Sequence, residues 1–323
     1  MISLPKKSIA HLPTPVEPLS RLSAFLGGPQ LLIKRDDQTG LAFGGNKTRK
    51  LEYLLAQAEA QAARTLITAG AVQSNHCRQT AAAAARFGFD CILVLSGKRP
   101  PQMSGNLLLD QLLGAEIVWT LPDQRDRVLQ QTFEEATDAG RRPYLIPYGG
   151  SNQLGAASYA FALQELISQA VYPDWIVLAS SSGGTQAGLV VGARALNFAG
   201  QILGISVDEP GRVLQERVAA LAGHTARALG EQFVFSPAEV LVNADYLGEG
   251  YGVMGEAEQD AIRLFARNDG ILLDPVYTSR AAAGLIDLVR RGYFTPDQTV
   301  LFWHTGGSPA LFAERYQRLL LED

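Results

Sequence analysis

The chain is organised around Gly44-Gly45-Asn46-Lys47-Thr48-Arg49-Lys50-Leu51-Glu52-Tyr53, a two-glycine turn that leads into a helix. Apolar residues follow at the three- and four-residue spacing of one helix face, at Leu51, Leu54, Leu55 and Ala58. The first turn carries three cations, Lys47, Arg49 and Lys50. Because a helix N-terminus is already partly positive, each unscreened cation there costs about 0.3–1 kcal/mol. The stretch is therefore either a surface helix with unfavourable charges or a binding site for an anion.

Lysine is scarce outside this stretch. The other lysines are Lys6, Lys7, Lys34 and Lys98, so no side-chain amine follows position 98. Lys6 and Lys7 lie in a proline-flanked terminal segment, Lys98 lies in a turn, and Lys34 ends a short predicted strand. If the protein uses a lysine covalently, Lys47 is the best placed.

Composition restricts the class of protein. The 323 residues are 47% hydrophobic and 19% charged with a net charge of -4, which is typical of a globular protein and gives no basic surface for nucleic acid or anionic membranes. No apolar run approaches the roughly 20 residues of a membrane-spanning helix, and the N-terminus lacks the apolar stretch of a signal peptide. We therefore expect a cytoplasmic protein, with Cys77 and Cys91 as buried thiols.

Apolar strands alternate with helices along the chain. The predicted strands are 31–34, 65–69, 91–95, 116–120, 143–147, 175–179, 202–207, 271–273 and 300–304. Helices are predicted from 46 onward and over 19–26, 74–87, 105–113, 123–139, 152–170, 183–199, 210–221, 255–268 and 279–291, while 233–245 has no clear assignment. This alternation predicts an α/β fold with parallel sheets covered on both faces. Ligands of such folds bind at the carboxyl ends of the strands.

One strand-to-helix turn ends in Ser74-Asn75-His76. Ser74 is either a helix N-cap or a hydroxyl that, together with backbone N–H groups, holds a carboxylate at the positive helix end.

A second such turn, Ser180-Ser181-Ser182-Gly183-Gly184-Thr185, offers the small residues that a close approach of backbone to phosphate requires. It lacks the lysine of a nucleotide P-loop and the spacing of the dinucleotide motif. A single phosphate without a metal fits it best.

Two further segments lie at such junctions. His304-Thr305-Gly306-Gly307 follows a predicted strand, and Asp274-Pro275-Val276-Tyr277-Thr278 precedes a predicted helix. A tyrosine at the position of Tyr277 is more often a packed aromatic than a catalyst. The four histidines lack metal-ligand spacing, so we expect no metal site.

An amine, a phosphate turn and a carboxylate site together suit pyridoxal phosphate. The sequence resembles the D-cysteine desulfhydrase and 1-aminocyclopropane-1-carboxylate deaminase family from about Leu12 to about Leu311. The motifs that carry the resemblance are Lys34-Arg35-Asp36-Asp37, Gly44 to Glu52, Gln73-Ser74-Asn75-His76, Ser182-Gly183-Gly184-Thr185, Asp274-Pro275-Val276-Tyr277-Thr278 and His304-Thr305-Gly306-Gly307. The resemblance implies two parallel-sheet α/β domains of the tryptophan-synthase-β-like (fold type II) architecture.

The resemblance also implies roles for single residues. Lys47 would form the Schiff base and must be neutral to do so, and we expect Arg49, Lys50 and the helix N-terminus to lower its pKa. Cofactor contacts are implied for Lys50 and Ser182, Gly183, Gly184 and Thr185 at the phosphate, and for Asn75, Thr278 and Thr305 around the pyridine ring. Substrate contacts are implied for Ser74, Asn75 and His76 on the carboxylate side and for Tyr251 and Tyr277 opposite, with Lys47, Ser74, Tyr251 and Tyr277 as the catalytic set.

Departures from the deaminases decide the predicted reaction. Those enzymes carry glutamate at the position of Thr278, leucine at that of Thr305 and often glutamine at that of His76. A threonine hydroxyl protonates the pyridine nitrogen less well than glutamate, which favours β-elimination over ring opening. We predict conversion of D-cysteine to pyruvate, hydrogen sulfide and ammonia, with Lys47 or Tyr277 as the base.

Several alternatives remain at this stage. They are an L-cysteate sulfo-lyase, a 1-aminocyclopropane-1-carboxylate deaminase and a non-catalytic pyridoxal-phosphate-binding protein. By the same resemblance we expect a homodimer with a large domain of residues 1–48 and 149–323 and a smaller domain of residues 49–148.

Overall fold

The computed structural model describes residues 1–321 and contains two sheets. In chain order the strands are β1 (Val16–Pro18), β2 (Gln30–Arg35), β3 (Thr65–Ala71), β4 (Asp90–Ser96), β5 (Glu116–Thr120), β6 (Pro143–Leu145), β7 (Trp175–Ser180), β8 (Gln201–Ser206), β9 (Leu241–Asn243) and β10 (Thr299–His304). The six-stranded sheet has the order β1-β2-β10-β7-β8-β9, and the four-stranded sheet has the order β5-β4-β3-β6. All strand pairs are parallel except β1 with β2.

Helices connect and cover these strands. They are α1 (Ser20–Leu26), α2 (Asn46–Ala60), α3 (Asn75–Phe87), α4 (Gly105–Leu112), α5 (Arg125–Asp138), α6 (Gln153–Ser168), α7 (Gly184–Ala195), α8 (Gly211–Ala228), α9 (Glu256–Asp269), α10 (Thr278–Arg290) and α11 (Glu314–Leu321). The predicted α/β class with two parallel sheets is confirmed. Within residues 1–321, no helix is both long and apolar enough to cross a membrane.

The larger sheet is buried on both faces because its central strands are apolar throughout. Phe302 packs in a core with Phe265 on one face, whereas the next residue, Trp303, packs with Tyr159 on the other. Alternate residues of a strand point to opposite faces, so β10 anchors both cores. Its carboxyl end is thereby held rigidly at the edge where a ligand is expected.

The predicted strand at 271–273 is wrong. These residues run between α9 and α10 without a strand partner, and the carbonyl of Leu272 accepts hydrogen bonds from His304 Nε2 and Ser308 Oγ instead. The side chain of Leu272 is 52% exposed, so only its neighbours Ile271 and Leu273 are buried. An apolar triplet is too short to distinguish a strand from an extended connection.

Three short or terminal elements were not predicted. They are β1, β9 and α11. β9 falls inside the unassigned segment 233–245, and β1 ends in proline at the edge of the sheet, where proline is tolerated. α8 also continues to Ala228, past its predicted end at 221.

Candidate active site

One cavity is surrounded by the carboxyl ends of β7 and β10 and by the N-termini of α2, α3 and α7. This is the strand edge at which an open parallel sheet binds ligands. Of the predicted site residues, those that line the cavity are Lys47, Ser74, Asn75, His76, Ser182, Gly183, Thr185, Tyr277 and Thr305.

The glycines before α2 allow its N-terminus to reach this edge. Gly45 adopts φ +125°, and a Cβ on Gly306 would lie 2.6 Å from the Cα of Gly45. Asn46 then donates its backbone N–H to the carbonyl of Thr305 at 3.0 Å and its side-chain Nδ2 to Thr185 Oγ1 at 3.0 Å. Two loops of the larger sheet thus fix the turn that precedes Lys47.

Lys47 and Lys50 present their amines to the same carbonyl. Nζ of Lys47 donates to Gly149 O at 3.1 Å, and Nζ of Lys50 donates to Gly149 O at 3.2 Å and to Ser151 Oγ at 3.1 Å. Within the described residues 1–321, neither amine has a carboxylate within 4.0 Å. Two adjacent amines without a counter-charge are a receptor for an anion or a carbonyl group.

Burial lowers the pKa of Lys47 to about 8. It lowers the pKa of Lys50 well below its usual value, with the neighbouring Lys47 charge acting in the same direction. The pKa of Lys47 is lowered, as predicted, but the expectation that Lys50 contributes to this is wrong, because its hydrogen bond acts to raise the pKa of Lys47. The leading cause is burial, and a neutral amine becomes accessible near physiological pH.

Arg49 occupies the opposite side of the same turn and does not act as predicted. Its guanidinium donates to Asp36 Oδ1 and Oδ2 at 2.8 and 2.9 Å and to both Glu165 oxygens at 2.9 Å. Burial opposes its charge, but Asp36 and Glu165 hold the pKa of Arg49 well above its usual value. The expectation that Arg49 lowers the pKa of Lys47 is wrong, because two carboxylates neutralise its charge.

The segment Ser180 to Thr185, the predicted phosphate turn, leads into a helix whose N-terminus has no side-chain cap. α7 follows Gly183, which has φ +81°, so the first N–H groups of the helix remain available. A Cβ on Gly184 would lie 2.5 Å from Ser151 Oγ and 3.0 Å from Lys50 Nζ. Ser151 Oγ is in turn 2.8 Å from Ser182 Oγ. Helix N–H groups, two hydroxyls and an amine therefore converge as a phosphate requires.

The N-terminus of α3 forms the opposite wall. Ser74 caps the helix, accepting from the N–H of Cys77 at 3.2 Å, and its hydroxyl proton has no acceptor among residues 1–321, so it can donate to a ligand. His76 places Nε2 3.0 Å from Thr68 Oγ1. Burial, followed by the charges of Lys47 and Lys50, lowers the pKa of His76 well below its usual value. His76 is therefore neutral at physiological pH.

Tyr277 lines the cavity, and Tyr251 lies behind it. Their hydroxyl oxygens are 2.5 Å apart, and the rings meet edge to face. Burial raises the pKa of both phenols well above the usual value. Both hydroxyls keep their protons at neutral pH, which favours Lys47 over Tyr277 as a proton acceptor.

The two threonines at the expected pyridine side differ in position. Thr305 lines the cavity, whereas Thr278 is fully buried and does not. The hydroxyl of Thr278 accepts from the N–H of Asp274 at 2.7 Å and donates to Asp274 Oδ1 at 2.8 Å. Asp274 also accepts backbone N–H groups from Val276 and Tyr277, so it orders the turn that carries Tyr277. The geometry gives no support to a direct contact from Thr278.

Comparisons with known proteins agree with this arrangement. Residues 7–306 match the family described as pyridoxal-phosphate dependent enzyme. The chain is 43% identical over 320 residues to a D-cysteine desulfhydrase of Klebsiella pneumoniae (strain 342) and 42% identical over 321 residues to one of Salmonella typhi. Each alignment covers 96% of both chains. The crystal structure of an ACC deaminase homologue superposes with a TM-score of 0.90 at 38% identity, over 98% of this chain and 96% of that one.

Proposed function

This chain belongs to the pyridoxal-phosphate-dependent enzyme family, and from that premise we propose that it converts D-cysteine to pyruvate, hydrogen sulfide and ammonia. The relatives named D-cysteine desulfhydrase support this choice of substrate, because they match nearly the whole chain at 42–43% identity. The observation that carries the proposal is the Lys47 amine, which lies at the cavity with its pKa lowered to about 8 and with no carboxylate of residues 1–321 within 4.0 Å.

The residues present fit pyridoxal phosphate. Within residues 1–321 the amines of Lys47 and Lys50 donate to backbone and hydroxyl oxygens but have no carboxylate partner, so a carbonyl group and an anion suit them, and the uncapped N-terminus of α7 suits an anion. We assign the cofactor's carbonyl carbon to Lys47 and its phosphate to Lys50, Ser182, Gly183, Gly184 and Thr185. Asn75 and Thr305 then face the pyridine ring, and Thr278 is the weakest member of the predicted set. The bound cofactor supplies an electron sink for the carbon that loses its proton.

Lys47 is the proposed base. With a pKa of about 8, about one-tenth of its Nζ is unprotonated at pH 7 and can accept the α-proton of the substrate, and this fraction rises with pH. Tyr277 is a poorer acceptor because its phenol keeps its proton. The proposed role of Tyr277 is to orient the substrate, with Tyr251 holding its hydroxyl at 2.5 Å.

The substrate carboxylate is assigned to the N-terminus of α3. The Ser74 hydroxyl and the backbone N–H groups of Asn75 and His76 lie at the positive end of this helix. Neutral His76 adds no charge there. A single carboxylate is thereby bound opposite the phosphate turn.

The absence of a carboxylate among the described residues at the cavity favours elimination over deamination in this proposal. Among residues 1–321, no Asp or Glu lines the cavity, and Thr278 stands where the deaminases carry glutamate, so a protonated ring nitrogen has less support than a carboxylate would give it. An L-cysteate sulfo-lyase remains the second candidate, since the same contacts would accept its substrate.

Parallel incubations test these assignments. Purified protein loaded with pyridoxal phosphate is given D-cysteine, L-cysteine, L-cysteate or 1-aminocyclopropane-1-carboxylate, and pyruvate, sulfide, sulfite and 2-oxobutyrate are measured. We expect the highest kcat/KM for D-cysteine, with equal amounts of pyruvate and sulfide. Faster sulfite release from L-cysteate would transfer the assignment to a sulfo-lyase. No product from any substrate beyond that of a Lys47→Ala control would leave a non-catalytic cofactor-binding protein.

The two sheets suggest how the chain divides into domains. We propose that residues 1–48 and 149–323 form the larger domain and residues 49–148 the smaller, and the location of all four strands of the smaller sheet between Thr65 and Leu145 supports this. We further propose a cytoplasmic homodimer, by likeness to the family. Light scattering on the purified protein then gives about twice the chain mass of 34.8 kDa.

A further inference from the structure

Asn106 lies on α4, fully buried, and is bound to the turn that precedes α3. Its side-chain Nδ2 donates to the carbonyl of Gln73 and to Asn75 Oδ1, both at 2.8 Å. Its backbone N–H donates to Gln73 Oε1 at 2.8 Å, and Gln73 Nε2 returns a hydrogen bond to Ser104 O at 2.9 Å. A closed set of hydrogen bonds therefore ties the start of α4 to the residues beside the cavity.

These contacts fix which way the amide of Asn75 points. The carbonyl of Gln73 can only accept, so the Asn106 atom beside it must be the nitrogen. That nitrogen has one further hydrogen, which it gives to Asn75, so the Asn75 atom 2.8 Å away must be the oxygen. The amide nitrogen of Asn75 is consequently the group left to face a ligand.

The surroundings of this nitrogen support the assignment. Nδ2 of Asn75 forms no hydrogen bond with the part of the chain that the structure describes, although Asn75 is only 8% exposed. Gly307, at φ +112°, packs against it, and a Cβ there would lie 2.5 Å from Nδ2. Because Gly307 has no side chain, the amide nitrogen can lie this close to its backbone, and Asn75 and the neighbouring Gly306 both line the cavity.

We propose that Asn106 is a positioning residue that holds the amide of Asn75 with its N–H groups toward the pyridine 3-oxygen of the cofactor. This inference rests on the proposed function, because it requires pyridoxal phosphate in the cavity. A donated hydrogen bond stabilises the anionic form of that oxygen, whereas a flipped amide would present its own oxygen and repel it. Asn106 thus controls the ionisation of the cofactor from a position outside the cavity.

The test measures the visible absorption band of the bound cofactor as a function of pH. Asn106→Asp is nearly isosteric, but its carboxyl supplies at most one proton where the amide supplies two hydrogens, so Asn75 loses its donor or Gln73 does. We expect the pH midpoint of the band to move upward by about one unit or more. Asn106→Ser, which retains one neutral donor, gives a smaller shift. Asn268→Asp makes the same chemical change at the end of α9, where Nδ2 donates to Leu264 O, and leaves the midpoint unchanged.

Each outcome decides the proposal. A merely structural role would make the isosteric Asp variant milder than Ser, the reverse of the expected order. The proposal is overturned if both Asn106 variants bind the cofactor with the wild-type midpoint, or if Asn268→Asp shifts it equally. If Asn106→Asp does not fold, the Ser variant alone decides by the presence or absence of a shift. Failure of the proposed function would look different: without cofactor binding the wild-type protein would show no band even after pyridoxal phosphate is added, and a different substrate or no turnover would leave the band and its pH midpoint measurable.

Discussion

The two sides of the first turn of α2 carry cations in opposite surroundings. On one side Arg49 is enclosed by Asp36 and Glu165, and these carboxylates hold its pKa well above the usual value despite burial. On the other side Lys47 and Lys50 lie against each other and against carbonyl and hydroxyl oxygens, with no carboxylate partner in the described part of the chain, and burial lowers the pKa of both. The pKa values of neighbouring residues in one helix turn are thus shifted in opposite directions.

The difference separates structural from functional charge. A buried cation that is paired with carboxylates contributes to the fold and is chemically inert. A buried cation without a partner is costly unless it loses its proton or binds an anion, and both outcomes suit a cofactor site. The presence or absence of a carboxylate partner distinguishes these roles. Residue type and position do not, since all three residues are basic and lie within four positions of the sequence.

Removal of the Lys47 amine gives the largest expected effect. Lys47→Ala lowers kcat for D-cysteine by roughly 10³-fold or more, because both the covalent anchor and the base are lost. The measurement is pyruvate release by holoenzyme and variant, with Lys98→Ala as a control at an exposed lysine. Turnover within tenfold of wild type would remove Lys47 from the chemistry.

Breaking the ion pairs of Arg49 with Asp36 and Glu165 should lower the free energy of unfolding. Arg49→Met leaves the buried Asp36 without its cation, whereas Glu165 keeps its ion pair with Lys34, and a break of a buried pair costs about 3–5 kcal/mol. Lys47→Met and Lys50→Met in the cofactor-free protein should cost little or even stabilise it, because each removes a half-buried or buried amine that has no carboxylate partner among residues 1–321. Urea unfolding of the three variants measures the contrast. Equal losses at Arg49 and Lys50 would show that the two sides of the turn do not differ.

Loss of the Lys50 amine should weaken the cofactor's phosphate contact. A hydrogen bond to a charged group contributes about 1.5–3 kcal/mol, so Lys50→Met should reduce pyridoxal phosphate affinity by about 10- to 100-fold. Equilibrium dialysis with absorbance detection measures this, and Lys98→Met serves as the matched control. An unchanged affinity would place the phosphate elsewhere.

The stability of the cofactor-free protein should depend on pH through Lys47. Its pKa is about 8 in the folded state against 10.5 when unperturbed, so between these values the unfolded chain binds the extra proton. Stability then rises with pH across this window, on the order of 1–3 kcal/mol for one group. The quantity to measure is the difference in unfolding free energy between wild type and Lys47→Met from pH 7 to pH 10. A flat difference would show that the pKa of Lys47 is not lowered.

Sequence alone could locate three turns: the turn before Lys47 (the lysine turn), the turn that ends in Ser74 (the Ser74 turn) and the phosphate turn. Each is a short local motif that leads into a helix. The structure brings these turns to one cavity. The edge rule places the Ser74 turn at the smaller sheet and the phosphate turn at the larger one, but it does not predict that the two sheets share a site. The partners of Arg49 could not be found this way, because Asp36 and Glu165 lie 13 and 116 residues away. The same limit applies to Asn106, which is 31 residues from Asn75.

Local pattern also failed where tertiary contacts decide. The apolar triplet from Ile271 to Leu273 has strand composition, yet its central carbonyl is satisfied by side chains of His304 and Ser308. Thr278 looked like a ring contact by its place in a motif, but Asp274 occupies its hydroxyl. In both cases the hydrogen-bond partner, which sequence does not specify, determines the role.

Reduction of the holoenzyme with borohydride, followed by peptide mass spectrometry, tests most directly the claim that Lys47 is the reactive amine. We predict that the reduced cofactor is attached to Lys47, with Lys50 and Lys34 unmodified. Attachment to Lys50, or no attachment after pyridoxal phosphate is added, would contradict the division of roles within the first turn of α2.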